Sequence, residues 1–180
     1  GVANSTVFGG IAGDEIVRWI GGVGASPDPD QALIDAEVSR AQHPFRQKAG
    51  DVNRMRDKLM DIMWDDVGVI RDREGLERAA RALDALEGEL LTTGVPDGNR
   101  AFNLTWHDWL NLRSLIETSH VITRAALARE NSRGAHYRVD FPEPGDLATS
   151  TYTVARLRDG AIAMTNAPVP GGDSATTGRG

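Results

Sequence analysis

The sequence holds no cysteine, which removes disulfides, thiolate zinc sites and cysteine nucleophiles and leaves the redox compartment open. No apolar run approaches the roughly 18 residues of a membrane-spanning helix. A basic start followed by an apolar stretch, the mark of a signal peptide, is also missing. Lys and Arg never form a run: around Arg54, Arg56 and Lys58 the acids Asp51, Asp57 and Asp61 intervene. With a formal net charge of -6, no nucleic-acid footprint is expected. The four histidines, His43, His107, His120 and His136, make no His-x-x-x-His or His-Glu-x-x-His pair, so no sequence-local metal site is expected. The chain opens on Gly1 rather than Met and enters patterned sequence at once, as expected of a piece of a longer protein.

What is present describes a globular chain. Its 180 residues, 40% hydrophobic and 26% charged, suffice for one domain with a real core. Residues 4–20 predict a helix capped by Asn4 or Ser5. Ser5, Gly9 and Gly13 step by four along it and make one small-residue stripe. A helical glycine costs about 1 kcal/mol relative to alanine, so the stripe implies close approach to another backbone, to a flat ligand, or to a neighbour within the same fold. Residues 21–30, with Pro27 and Pro29, read as an extended linker.

Helical periodicity dominates from there. A modest amphipathic segment covers 31–42. Val52, Met55, Leu59, Ile62 and Met63 make a second face. Asp72 can cap a third helix whose face is Leu76, Ala80, Leu83, Leu86 and Leu90, ended by Gly94. The longest helix spans about 101–129, with Phe102, Trp106, Trp109, Leu112 and Ile116 followed by the small Ser119, Thr123 and Ala126. After Gly134 the pattern changes: Tyr152–Leu157 and Ala161–Met164 alternate as two strands about Arg158-Asp159-Gly160, and the tail after Pro170 is loose. The expected fold is mainly α: an antiparallel three-helix bundle with an extra N-terminal helix and a short C-terminal β-hairpin and irregular tail. The boundaries are 1–21 for the terminal helix, 22–46 for the linker and short helix, 47–145 for the bundle and 146–180 for the extension.

Residues with chemistry are sparse. His107 stands beside Asp108, but adjacent helix positions face different directions. Asp65-Asp66 reads as a solvated helix end before it reads as an acid/base pair. The densest polar cluster runs from Arg129 to Arg138, with Asp140, Phe141 and Pro142 after it. Two readings stand for it. Arg133, His136 and Arg138 could bind an anion. Alternatively the arginines bond the last carbonyls of the long helix, with Gly134 in the left-handed C′ position and Asp140 paired to an arginine.

Ser132-Arg-Gly-Ala-His-Tyr-Arg-Val-Asp-Phe-Pro142 resembles the Glu-Ser-Arg-Gly-Ala-His-x-Arg-x-Asp-(Phe/Tyr)-Pro segment of the succinate dehydrogenase/fumarate reductase flavoprotein family, whose relatives include L-aspartate oxidase and adenylylsulfate reductase flavoproteins. Met63-Trp64 through Val67-Gly68 to Arg71, with Gly75-Leu76, is similar to a second family segment. Val7-Phe-Gly-Gly-Ile-Ala-Gly13 is similar to a third, the helix that closes the FAD-binding domain. The chain departs from the pattern at Asn131, where the family usually has glutamate.

The resemblance implies that residues 1–21 are the last helix of an FAD-binding domain lying upstream. It places Gly1 and Val2, through their backbone, at the flavin pyrimidine edge, where the positive end of a helix suits charge on reduced flavin. It also implies hydride transfer between FAD and a dicarboxylate such as succinate or fumarate. A further implied partner is an iron–sulfur subunit, and the implied location is cytoplasmic, extending to peripheral attachment at the inner membrane face. The family's dinucleotide-binding glycines, substrate-clamping histidine and proton-donating arginine match nothing here, so the chain alone is expected to be non-catalytic. The competing reading is a free-standing helical interaction module.

Overall fold

A computed structural model describes residues 2–24, 27–158 and 161–169. The chain divides into two units, residues 1–40 and 41–180.

The first unit holds α1 (Val2–Gly22) and most of α2 (Gln31–Gln42). The helix expected over 4–20 forms, but it begins earlier, so Asn4 and Ser5 lie inside it rather than capping it. Neither helix buries a single residue. A Cβ added at Gly9, Gly10 or Gly13 would meet nothing within 4 Å, and Val7, Phe8, Ile11, Ile16, Val17, Trp19 and Ile20 are all exposed.

The second unit is built on α3 (Val52–Asp65), α4 (Arg73–Leu91) and α5 (Leu104–Ala128). Each begins with the same device, a short polar side chain accepting from the backbone N–H three residues on: Asp51 from Arg54 at 3.0 Å, Asp72 from Gly75 at 2.7 Å, Asn103 from Trp106 at 2.9 Å. Ion pairs record the antiparallel order. Lys58 midway along α3 meets Glu89 late in α4, while Asp66 after α3 meets Arg78 early in α4. Arg73 at the start of α4 meets Glu130 beyond the end of α5.

The bundle interior follows the apolar periods. Val52, Met55 and Leu59 pack with Leu83, Leu86, Leu90, Val95, Trp109, Leu112 and Ile116. A smaller cluster of Val67, Leu76, Ala79 and Ala126 continues it toward the other end. Trp109 is fully buried and donates its indole N–H to the Thr93 carbonyl at 2.8 Å, so its polar atom is satisfied as burial requires. Ala79, not the expected Ala80, fills the core. Phe102 is a larger departure. It is 100% exposed with φ 57, because α5 starts only after Asn103. Gly94 does not end α4 either; α4 stops at Leu91 with Thr92 as cap. Its backbone instead bonds to Lys48 and Gly50, so close that a Cβ would stand 2.2 Å from the Gln47 carbonyl oxygen.

Two small sheets complete the unit. β1 (Ile70–Arg71) pairs in parallel with β2 (Tyr137–Arg138), a contact the periodicity did not foretell. The C-terminal hairpin forms as expected, β3 (Thr151–Arg158) antiparallel to β4 (Ala161–Pro168), with Arg158 opposite Ala161. Asp159-Gly160 of the expected turn and the tail from Pro170 lie outside the described residues.

Candidate functional site

The polar corner after α5 is built around Arg138, which is 0% exposed. A helix leaves its last four carbonyls without intrahelical donors. Arg138 Nη1 donates to three oxygens at this end of α5: Ala126 at 2.9 Å, Leu127 at 3.2 Å and Arg129 at 3.3 Å. Its other two nitrogens fork onto Asp140, Nε to Oδ1 at 2.8 Å and Nη2 to Oδ2 at 2.6 Å. This is the bidentate geometry that makes arginine–carboxylate pairs strong. The buried cation thus has both a counter-charge and helix carbonyls, and it lies 5.0 Å over the Phe141 ring.

Asp140 does more than neutralise. Its Oδ2 also accepts from the backbone N–H of Arg73 at 3.2 Å, so one carboxylate joins the end of α5 to the start of α4. The Arg138 guanidinium holds the Asp140 carboxyl down to about 2. Ser132 closes the loop from inside, donating its hydroxyl to the Phe141 carbonyl and accepting from the Arg138 N–H, both at 2.8 Å.

His136 and Arg71 join two stretches of sequence. Arg71 is held by the carbonyls of Val67 and Gly68, and its Nη1 donates to His136 Nδ1 at 2.7 Å. Arginine is always a donor, so Nδ1 is the acceptor and Nε2–H faces the Arg129 carbonyl at 3.4 Å. Burial, then the neighbouring Arg129, push the His136 pKa below its usual value. The Tyr137 N–H to Val69 carbonyl bond and the Val139 N–H to Arg71 carbonyl bond bring the two stretches into one parallel pair. The segments 63–71 and 132–142 are therefore one structural unit.

The structural-corner reading describes this cluster, with one correction. Gly134 has φ 61 as expected of a left-handed glycine, but Arg129 is the cap of α5. Gly134 instead sits in a two-residue turn closed by mutual Arg133 and His136 backbone bonds, where positive φ suits the first central position. Arg133 is spent locally, on the Ser150 hydroxyl and the carbonyls of Pro144 and Gly145. Asn131 accepts from Arg129 Nε at 2.8 Å, providing an oxygen there but no charge.

Elsewhere the sequence candidates are not assembled. His107 is exposed, and Asp66 is taken by Arg78 at 2.7 Å. Among the described residues no group of three or more His, Asp or Glu could hold a metal ion, and no helix is long and apolar enough to cross a membrane. Gly1 lies outside the described residues, while Val2 opens α1, 85% exposed, its carbonyl accepting from the Thr6 hydroxyl. Sequence reasoning did not single out His120, buried with Nε2 3.5 Å from Glu87 Oε2; its place one position from the Ser119 stripe was the available signal.

Comparison with known proteins agrees with this architecture. The fumarate reductase flavoprotein subunit of Mycobacterium tuberculosis is 34% identical over 143 residues, covering 77% of this chain and 24% of that protein. The succinate dehydrogenase flavoprotein subunit of Coxiella burnetii is 32% identical over 141 residues, covering 77% of this chain and 23% of that protein. The Mycobacterium smegmatis Sdh1 structure in complex with UQ1 superposes with a TM-score of 0.75 at 27% identity, over 83% of this chain and 26% of that one. The chain thus spans about a quarter of the length of the relatives it matches. The family described as fumarate reductase flavoprotein C-term matches residues 56–173, and the chain belongs to it.

Proposed function

We propose that this chain is the C-terminal helical part of an FAD-dependent oxidoreductase that moves a hydride between flavin and the carbon–carbon bond of a dicarboxylate such as succinate or fumarate. The observation that carries this beyond family membership is α1. It exposes Val7, Phe8, Ile11, Trp19 and Ile20, and its glycines border open space. Large apolar surfaces of this kind mark an interaction face, here one for an upstream FAD-binding domain. Gly1 and Val2 would lend backbone to the flavin edge. The start of α1 suits that role because the positive end of a helix favours negative charge on the reduced ring.

FAD, when bound, supplies the redox chemistry. This chain's share is to close and buttress the flavin domain, and it contributes no catalytic side chain. The corner fixes the ends of α4 and α5 against each other, which makes the bundle a rigid support. A peripheral position at a membrane, beside an iron–sulfur subunit, belongs to the same reading; it draws on relatives named as succinate dehydrogenase and fumarate reductase flavoprotein subunits.

The test is expression of the chain together with its upstream sequence. A yellow protein with flavin absorbance and fumarate- or succinate-dependent turnover is expected. A chain that is monomeric with its upstream sequence, carries no flavin and has no Gly-x-Gly-x-x-Gly turn encoded there would support the free-standing module instead.

A further inference from the structure

A cleft of about 580 Å³ opens where the end of α5, the corner loop and the β3–β4 hairpin meet, a size within the usual range for small-molecule sites. Three guanidinium-bearing residues line it, Arg71, Arg129 and Arg133, together with Ser150, whose hydroxyl accepts from Arg133. The acidic residue in the lining is Glu130, and it is paired with Arg73 at 2.9 Å, outside the cleft wall. None of the three arginines makes an ion pair among the described residues.

Exposed arginines without a counter-charge are ordinary, but these three are half-buried, and Arg129 is near enough for its charge to act on Arg71. Burial, then Arg129 and Arg138, lower the Arg71 pKa. Nor does His136, held as a hydrogen-bond acceptor by Arg71, offer any negative charge. Hydrogen-bond capacity is left over as well. Arg129 uses only Nε, on Asn131, and Arg71 uses Nε and Nη1. Both terminal nitrogens of Arg129 and Nη2 of Arg71 have no protein partner among the described residues, and none of them is sealed from solvent. Arg138, by contrast, is fully spent and belongs to the corner. Asn131 sits in the same wall, where a glutamate would supply the absent counter-charge.

We propose that this cleft binds a small oxyanion, a phosphate or a carboxylate, gripped by the terminal nitrogens of Arg129 and by Arg71 Nη2. Planar guanidinium groups match both anions bidentately, and partial burial limits the screening that would make such contacts worthless at a surface. The site depends on these side chains alone, so it stands or falls independently of the flavin reading.

The deciding experiment is calorimetric titration of the 180-residue chain with sodium phosphate and, separately, with sodium malonate, against sodium chloride at matched ionic strength. Saturable binding in either arm is expected, and the arm that saturates identifies the anion. Arg129→Gln should weaken it at least tenfold. Asn131→Glu should do the same by filling the cleft with a built-in carboxylate, while its melting temperature stays level or rises. Should one variant fail to fold, the other decides. Saturation by neither anion, or native-strength binding by a folded Asn131→Glu or Arg129→Gln variant, overturns the proposal.

Discussion

Arg71 and His136, 65 residues apart, share a hydrogen bond of 2.7 Å in which the imidazole is the acceptor. The bond exists only while His136 is neutral, since a protonated ring has no lone pair to offer.

Acidification should therefore loosen the corner. The folded His136 pKa is lowered, so its contribution is intact above the unfolded value of about 6.5 and is lost as pH falls from there toward the folded value. Melting temperatures measured from pH 7.5 to 5 should decline, and His136→Gln should flatten that decline. An identical slope in the variant would show that His136 is not the group responsible.

Asp140 acts in a separate, lower window. Its carboxyl is held at about 2, so its stabilisation is complete above the unfolded value of about 3.9 and disappears as pH drops toward 2. At neutral pH, Asp140→Asn leaves the buried Arg138 charge without its counter-ion. Asp140 is itself partly exposed, so the cost is that of hydrogen bonds lost to a charged group, about 1.5–3 kcal/mol, and a chemical denaturation midpoint should fall accordingly.

Trp109 tests the bundle core. It is fully buried between α3 and α4 residues and anchored to Thr93, so Trp109→Ala should cost about 3–5 kcal/mol. An unchanged melt would mean that this face of α5 is not in the core.

Asp72 tests the helix start nearest the corner. Its side chain accepts from the Gly75 N–H at 2.7 Å, and Asp72→Ala should cost about 1 kcal/mol, read as a small shift in the same denaturation curve. Asp72→Asn, which keeps the accepting oxygen, should recover most of it.

The helical faces were legible because burial repeats with the helix period. Met55, Leu59, Leu83, Leu86, Trp109, Leu112 and Ile116 all carry that signal and all lie in the core. Phe102 misleads because it continues the spacing of α5 backward past Asn103, and spacing alone does not register that the cap has already turned the chain. The same limit placed Ala80 where Ala79 packs. Gly134 was legible as a left-handed residue, yet its turn belongs to the His136 hairpin rather than to the helix end.

The corner itself was half legible. Arginines bonding the α5 carbonyls and Asp140 pairing with one of them follow from helix-end chemistry, and Arg138 does both. The Arg71–His136 bond and the β1–β2 pair were hidden, because polar contacts between distant segments leave no periodic trace. Complete burial of Arg138 was hidden for a related reason: a charged residue in sequence reads as surface until its partners are known.

The parallel pairing of β1 with β2 gives the bundle a clasp fastened from both sides of the two longer helices. A two-residue ladder contributes little until α4 and α5 already lie side by side, since the intervening loop must be closed first. The clasp should accordingly be among the last parts to form and the first to open. Trimming the chain at Ala128, where the last bundle helix ends, would strip the terminal carbonyls of that helix of Arg138 and should leave it frayed.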